Sequence, residues 1–185
     1  MLEEIRFHGR AGQGVVTAAK ALAISAAFEG LHSQAFPLFG SEKRGPPVVS
    51  FCRISDIQIQ FIEEIDSPSI VVVTDPSVMD EIKVDKGLKE NGLILINSKH
   101  PPKHFKFRKT KNVFTVDGTS LALKHLKKPI TNTVMLGALA KITCFVSINS
   151  LRKGINIKLN KFPKEVIKAN IDLVEESYKK TEAVK

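Results

Sequence analysis

The run "SIVVVTD", Ser69 to Asp75, constrains the fold more than any other stretch. Its consecutive β-branched residues offer solvent no polar face, so as a strand it must be covered on both sides, as the inner strands of parallel sheets are. Two further runs, "GLILIN" and "NVFTVD", follow at spacings that leave room for connections. Pro76 to Glu90 reads as one helix and "GTSLALKHL" as another. Parallel neighbours need such crossovers, so an α/β fold with a mostly parallel sheet is predicted.

The N-terminal part fits the same scheme. Ile5 to His8 reads as a short strand, a glycine loop follows, and "VVTAAKALAISAAFEG" is a helix with apolar or small residues on nearly every side, stopped by Gly30. "VVSFCRIS" and "IQIQFIEE", separated by Ser55 and Asp56, predict an antiparallel hairpin that makes the sheet mixed, with Ile57, Ile59 and Phe61 on its buried side. Asn132 to Val146 is a second strongly apolar helix with Asn132 as its cap. "SINSLRKGI" is short and mixed, and "FPKEVIKANIDLVEESYKK" is amphipathic with Pro163 in its first turn. There is no repeat and no linker, so one domain over residues 1–185 is expected.

Several function classes lose support on composition. The longest apolar runs fall well short of a membrane span, and the chain opens on Glu3, Glu4 and Arg6 rather than a signal core, so a cytoplasmic protein with no membrane role is expected. Cys52 and Cys144 lie far apart among apolar neighbours and read as buried free thiols. Two cysteines cannot ligate an iron-sulfur cluster unaided, and the five histidines lack metal-ligand spacing, so no metal site is predicted on this chain. No nucleophile sits in an elbow context, and no catalytic set is predicted either.

The net charge is +9, and Lys99 to Lys128 holds nine Lys or Arg against one acid, Asp117. The stretch is either a solvated face or a docking site for an acidic partner. Nucleic acid ranks below both, because one Tyr, no Trp and no recognition motif accompany the charge.

Two loops hold function-like residues. "HGRAGQG" places glycines at 9, 12 and 14, which matches neither the dinucleotide fingerprint nor the Walker loop. Gly9, Gly12 and Gly14 with Arg10 form either an anion cradle at a helix N-terminus or a packing turn. "FGSEKRGPPV" displays Ser41, Glu42, Lys43 and Arg44 ahead of Gly45 and two stiffening prolines, and is either a binding element or a solvated turn. His8, beside the first loop, reads as a structural histidine at a strand end.

Taken in order, "RFHGRAGQGVVTAAKALA", "QAFPLFGSEKRGPPVVSFCRI", "VDGTSLAL" and "PITNTVMLGALAKIT" resemble the gamma subunit of 2-oxoacid:ferredoxin oxidoreductases, from Glu4 to about Tyr178. The chain departs from the family pattern at Ala11, where a glycine is usual, and at Pro46, where a small residue is usual. The resemblance implies a three-layer α/β/α domain, inactive alone, within a complex that oxidatively decarboxylates a 2-oxoacid with coenzyme A. Pyruvate is the implied substrate, with 2-ketoisovalerate, 2-oxoglutarate and indolepyruvate as alternatives. Thiamine diphosphate, Mg and iron-sulfur clusters are implied on alpha, beta and delta partners, with ferredoxin as electron acceptor.

The same resemblance implies that the two loops meet at the sheet edge, near the coenzyme A, thiamine and 2-oxoacid machinery. Gly9, Gly12, Gly14, Ser41 and Gly45 would form the wall. Arg10 and Arg44 would engage phosphate or carboxylate, while Gln13, Glu42 and Asn132 would orient it. The apolar helices at Val15 and Asn132 would help build subunit interfaces. A free-standing nucleotide-binding module and a basic nucleic-acid-binding protein are the rival readings.

Overall fold

A computed structural model describes residues 1–38 and 47–181. Six strands form one mixed sheet: β1 (Leu2–Arg10), β2 (His32–Leu38), β3 (Pro47–Ser55), β4 (Ile70–Val73), β5 (Leu93–Asn97) and β6 (Val113–Val116). Their order is β2-β3-β1-β4-β5-β6, with β1, β4, β5 and β6 mutually parallel and β3 antiparallel to both β1 and β2. Five helices accompany them: α1 (Val15–Ala27), α2 (Gly118–Leu126), α3 (Asn132–Thr143), α4 (Ile148–Lys158) and α5 (Lys164–Lys180). The α/β class and the mixed sheet expected from the sequence are both present.

Alternation along the strands divides the interior in two. Ile5, Phe7, Cys52, Ile54, Ile70, Val72 and Leu95 face one way and join all five helices in the larger core. Val71, Val73, Ile94 and Ile96 face the other way and are covered by residues 78–88 and by Phe105 and Phe107. The continuous apolar reading of "SIVVVTD" thus has its cause, since consecutive residues of β4 belong to opposite cores.

The hairpin predicted across Ser55 and Asp56 does not form. Strand β3 already has β1 on one side and β2 on the other, so no edge is left for residues 57–64. They run as an irregular strap in which Ile57 is 71% exposed and Ile62 77%. The true partner, β2, contains Pro37, which only an edge strand accommodates readily, and β2 lies at the sheet edge.

The helix expected over Pro76 to Glu90 is a 3-10 turn, Pro76–Asp80, followed by further turns. The buried Arg6 guanidinium explains why. It donates to Val84 O at 3.0 Å, to Ile65 O at 3.3 Å and to Lys86 O, so carbonyls that a helix would turn along its own axis face an arginine instead. Gly87 closes this segment at φ 75°, where a Cβ would overlap Asp66 O.

Helix α1 ends as the sequence indicates, at a left-handed Gly30, with Leu31 N–H reaching Ala26 O at 3.2 Å. Helix α3 buries every residue from Asn132 to Ala140 inside this chain, so its apolar surface is the core's and not an interface. Cys52 is buried as expected, but Cys144 is exposed, because it caps α3 in a left-handed turn. No helix among the described residues is long and apolar enough to cross a membrane.

Helices α2 and α5 are tied by charge. Glu176 accepts from Lys124 at 2.7 Å, pairs with Lys180 at 2.9 Å and lies 2.6 Å from His125 Nε2. These partners, Lys124 foremost, pull its carboxyl down to about 2 from an ordinary 4.5. A depressed carboxyl stabilises the fold above its unfolded pKa and stops doing so as pH falls through its folded one. The stability advantage of the natural chain over Glu176→Gln is therefore expected to be full at neutral pH and to vanish between about 4.5 and about 2. Parallel acid-unfolding curves check it.

Candidate functional site

Strand β1 continues through α1 to one side of the sheet, and the chain returns as β4 on β1's other side. The carboxyl ends of β1 and β4 therefore flank the point where strand order reverses, which is where open α/β sheets place a crevice. The glycine loop sits there. Gln13 N–H bonds back to Arg10 O at 3.2 Å, and Gln13 Oε1 accepts from Arg10 N–H at 3.1 Å, folding residues 10–13 into a tight turn.

Two of the glycines are needed for packing. A Cβ on Gly9 would lie 2.1 Å from Thr74 Oγ1, and one on Gly14, at φ 76°, would lie 2.3 Å from Asn132 Nδ2. Gly12 differs: it holds φ 87° with no atom of the described residues within 4 Å of where its Cβ would be. The packing role thus belongs to Gly9 and Gly14. Asn132 packs against Gly14 and is the first residue of α3, with Thr131 rather than Asn132 in the cap position. Its Oδ1 accepts from Thr133 N–H at 2.7 Å.

Three helices start at this edge. Helix α1 opens at Gly14 with no side-chain cap and no acid in its first turn, so the partial positive charge of its amides is left unneutralised by its own residues. Helix α2 is capped by Asp117 and α3 begins at Asn132. Between them, Thr74 O accepts from Asn97 Nδ2 and from Thr131 Oγ1, both at 2.9 Å, which fixes the ends of β4 and β5 against α3.

Gln13 Nε2 donates to Asp75 at 2.6 Å, and Ser77 donates to the same carboxylate from its N–H at 3.0 Å and its Oγ at 2.7 Å. Burial opposes charge on Asp75, but these hydrogen bonds outweigh it and hold the carboxyl below its usual range. Arg10 donates from Nε to Ser77 Oγ at 2.8 Å and pairs with Glu81 at 2.5 Å. The hydrogen bond to Glu81 is the main reason its basicity rises. An incoming anion would meet a guanidinium already oriented by an acid.

Ser41, Glu42, Arg44 and Gly45 lie outside the described residues. Thr74, Asp75, Asn97 and Thr131 were not singled out from the sequence, although the signal was there: each of the first three closes an apolar strand at its carboxyl end. The basic stretch is partly committed, since Lys124 and His125 serve Glu176, while Lys106, Arg108 and Lys109 are exposed on a loop anchored by Phe105 and Phe107.

The sequence matches the family described as "Pyruvate ferredoxin/flavodoxin oxidoreductase" over residues 4–180. It is 44% identical over 182 residues to the "Pyruvate/ketoisovalerate oxidoreductases common subunit gamma" of Pyrococcus furiosus, covering 97% of each chain. To the "Pyruvate synthase subunit PorC" of Methanothermobacter marburgensis it is 45% identical over 177 residues, covering 96% of each. Among solved structures, the pyruvate oxidoreductase subunit PORC of Thermotoga maritima superposes with a TM-score of 0.81 at 36% identity, covering 96% of each chain.

Proposed function

The chain belongs to the pyruvate ferredoxin/flavodoxin oxidoreductase family, and from that premise we propose that it is the gamma subunit of a complex converting pyruvate, coenzyme A and oxidised ferredoxin to acetyl-CoA, CO2 and reduced ferredoxin. The observation that carries this reading is end-to-end similarity to proteins named as that subunit. The name shared by pyruvate and ketoisovalerate enzymes in Pyrococcus furiosus favours a subunit that leaves the choice of 2-oxoacid to its partners.

Within the complex, the loop from Gly9 to Gly14 forms one wall of the coenzyme A site. The left-handed Gly12 and the uncapped start of α1 suit a phosphate, and Arg10 belongs to the same loop. Gln13 and Asn132 hold the loop in shape, one through Asp75 and the other against Gly14. Ser41, Glu42, Arg44 and Gly45 serve the same site. Thiamine diphosphate, Mg and the iron-sulfur clusters reside on alpha, beta and delta partners, where thiamine supplies the decarboxylation chemistry and the clusters carry electrons away.

Arg44→Ala in the reconstituted complex is expected to raise the KM for coenzyme A by about tenfold, the effect of one lost guanidinium-phosphate contact. Unchanged kinetics toward both coenzyme A and pyruvate would remove Arg44 from the site. The exposed cations of the basic loop suit an acidic electron acceptor. Reversing charge at Lys106, Arg108 and Lys109 together is expected to slow ferredoxin reduction several-fold at low salt and little at high salt.

A further inference from the structure

Arg10 is tied to one carboxylate by two routes. Its main-chain N–H donates to Gln13 Oε1 at 3.1 Å, and Gln13 Nε2 donates in turn to Asp75 Oδ2 at 2.6 Å. Its side-chain Nε donates to Ser77 Oγ at 2.8 Å, and that hydroxyl donates to Asp75 Oδ1 at 2.7 Å. An arginine only donates and a carboxylate only accepts, so Gln13 and Ser77 must each accept from Arg10 and donate to Asp75. The circuit closes with every proton assigned. It fixes the main chain of the glycine loop through Gln13 and the tilt of the guanidinium through Ser77, with Glu81 on Nη2 at 2.5 Å.

The platform under this circuit is the end of β4. Thr74 gives both its N–H and its Oγ1–H to His8 O, at 2.8 and 3.0 Å, which ties that end to β1. Pro76 then starts the 3-10 turn, and the turn brings Ser77 N–H onto Asp75 Oδ1 at 3.0 Å. That N–H alone caps the turn; the hydroxyl is the part of Ser77 that reaches Arg10. A carboxamide could not replace the carboxylate. With its NH2 toward Ser77 it would face an N–H, and with its NH2 toward Gln13 it would face another NH2. Turning the Gln13 amide to relieve the second clash would set an NH2 against Arg10 N–H.

We infer that Asp75 and Ser77 are positioning residues for coenzyme A: acting through Arg10 and Gln13, they hold the guanidinium and the glycine loop in the arrangement that receives a phosphate. The inference rests on the placement of coenzyme A at this loop proposed above. An arginine left to its own rotamers would have to be ordered by the ligand, and that ordering would weaken binding. Here the ordering is done by the fold before the ligand arrives. Glu81, Asp75 and Asp80 all act on the Arg10 charge, so the direction of its donors, rather than surplus positive charge, sets what it binds.

The test uses the complex reconstituted from the full chain and its alpha, beta and delta partners. Calorimetry without pyruvate gives the Kd for coenzyme A, and turnover gives KM and kcat. Ser77→Ala is expected to raise both the Kd and the KM for coenzyme A by about fivefold, with the KM for pyruvate and the melting temperature of the complex unchanged. Ser77→Thr, which keeps the hydroxyl, should restore most of the affinity. Asp75→Asn should weaken coenzyme A binding by about tenfold or more, because neither orientation of the amide avoids a clash of donors. In an Arg10→Ala background, Ser77→Ala should add nothing further, since its effect runs through that guanidinium. An unchanged Kd in Ser77→Ala, full additivity with Arg10→Ala, or equal losses toward pyruvate and coenzyme A overturn the proposal. An unchanged Kd in Arg10→Ala itself overturns instead the placement of coenzyme A at this loop, a result distinct from the others.

Discussion

Arg6→Met is expected to lower stability by about 3–5 kcal/mol, the scale set by leaving several buried acceptors without a donor. Arg6 is 8% exposed, and burial lowers its basicity from the ordinary guanidinium value. Its guanidinium nevertheless serves the carbonyls of Ile65, Val84 and Lys86 and the imidazole of His8. Methionine fills similar volume but donates nothing. The loss should appear as a fall in melting temperature of roughly 10 °C or more. Arg6→Lys should recover only part of it, because one ammonium cannot reach all four acceptors. Hydrogen exchange should localise the damage to residues 82–88, the segment whose carbonyls are released.

Gly14→Ala is expected to cost about 2–4 kcal/mol, part from a left-handed φ and part from collision. The two parts are separable. The collision is with Asn132 Nδ2 at 2.3 Å and its Cγ at 3.1 Å, whereas the Asn132 Cβ stands at 3.4 Å. Introducing Gly14→Ala into an Asn132→Ala background should therefore cost only about 1–2 kcal/mol, the conformational part. Urea unfolding of the four proteins in this cycle checks it. Strict additivity would mean that Gly14 and Asn132 are not packed as described, and the link between the glycine loop and α3 would fall with it.

Much of the scaffold was legible in the sequence because local pattern and tertiary role agree there. The inner strands β4 and β5 are apolar throughout, α2 begins behind a capping Asp117, and Gly30 ends the helix before it. The misreadings arise where tertiary context overrides pattern. "IQIQFIEE" alternates like a strand, yet β3 has no free edge to offer it. Residues 81–90 have helical composition, yet a buried arginine 78 residues away in sequence claims the Val84 carbonyl. The glycine loop could be read from its residue types, Asn132 entered the candidate site only through the family resemblance, and the two meet where Asn132 packs against Gly14. Arg10 was readable as a cation but not as one paired with Glu81, because that pairing depends on the 3-10 turn after β4.

The sheet order also bears on the sequence of events during synthesis. The nine residues of β1 precede both of their strand partners in the chain but occupy the middle of the sheet, flanked by β3 at Pro47–Ser55 and by β4 at Ile70–Val73. The strand's antiparallel partner is complete only at Ser55 and its parallel partner only at Val73, so Ile5 and Phe7 stay without their strand neighbours while the intervening chain is made. The delay leaves an unpaired, partly apolar strand in the nascent chain, and the charges of Glu3, Glu4 and Arg6 along it are of the kind that disfavour pairing between copies in the interval.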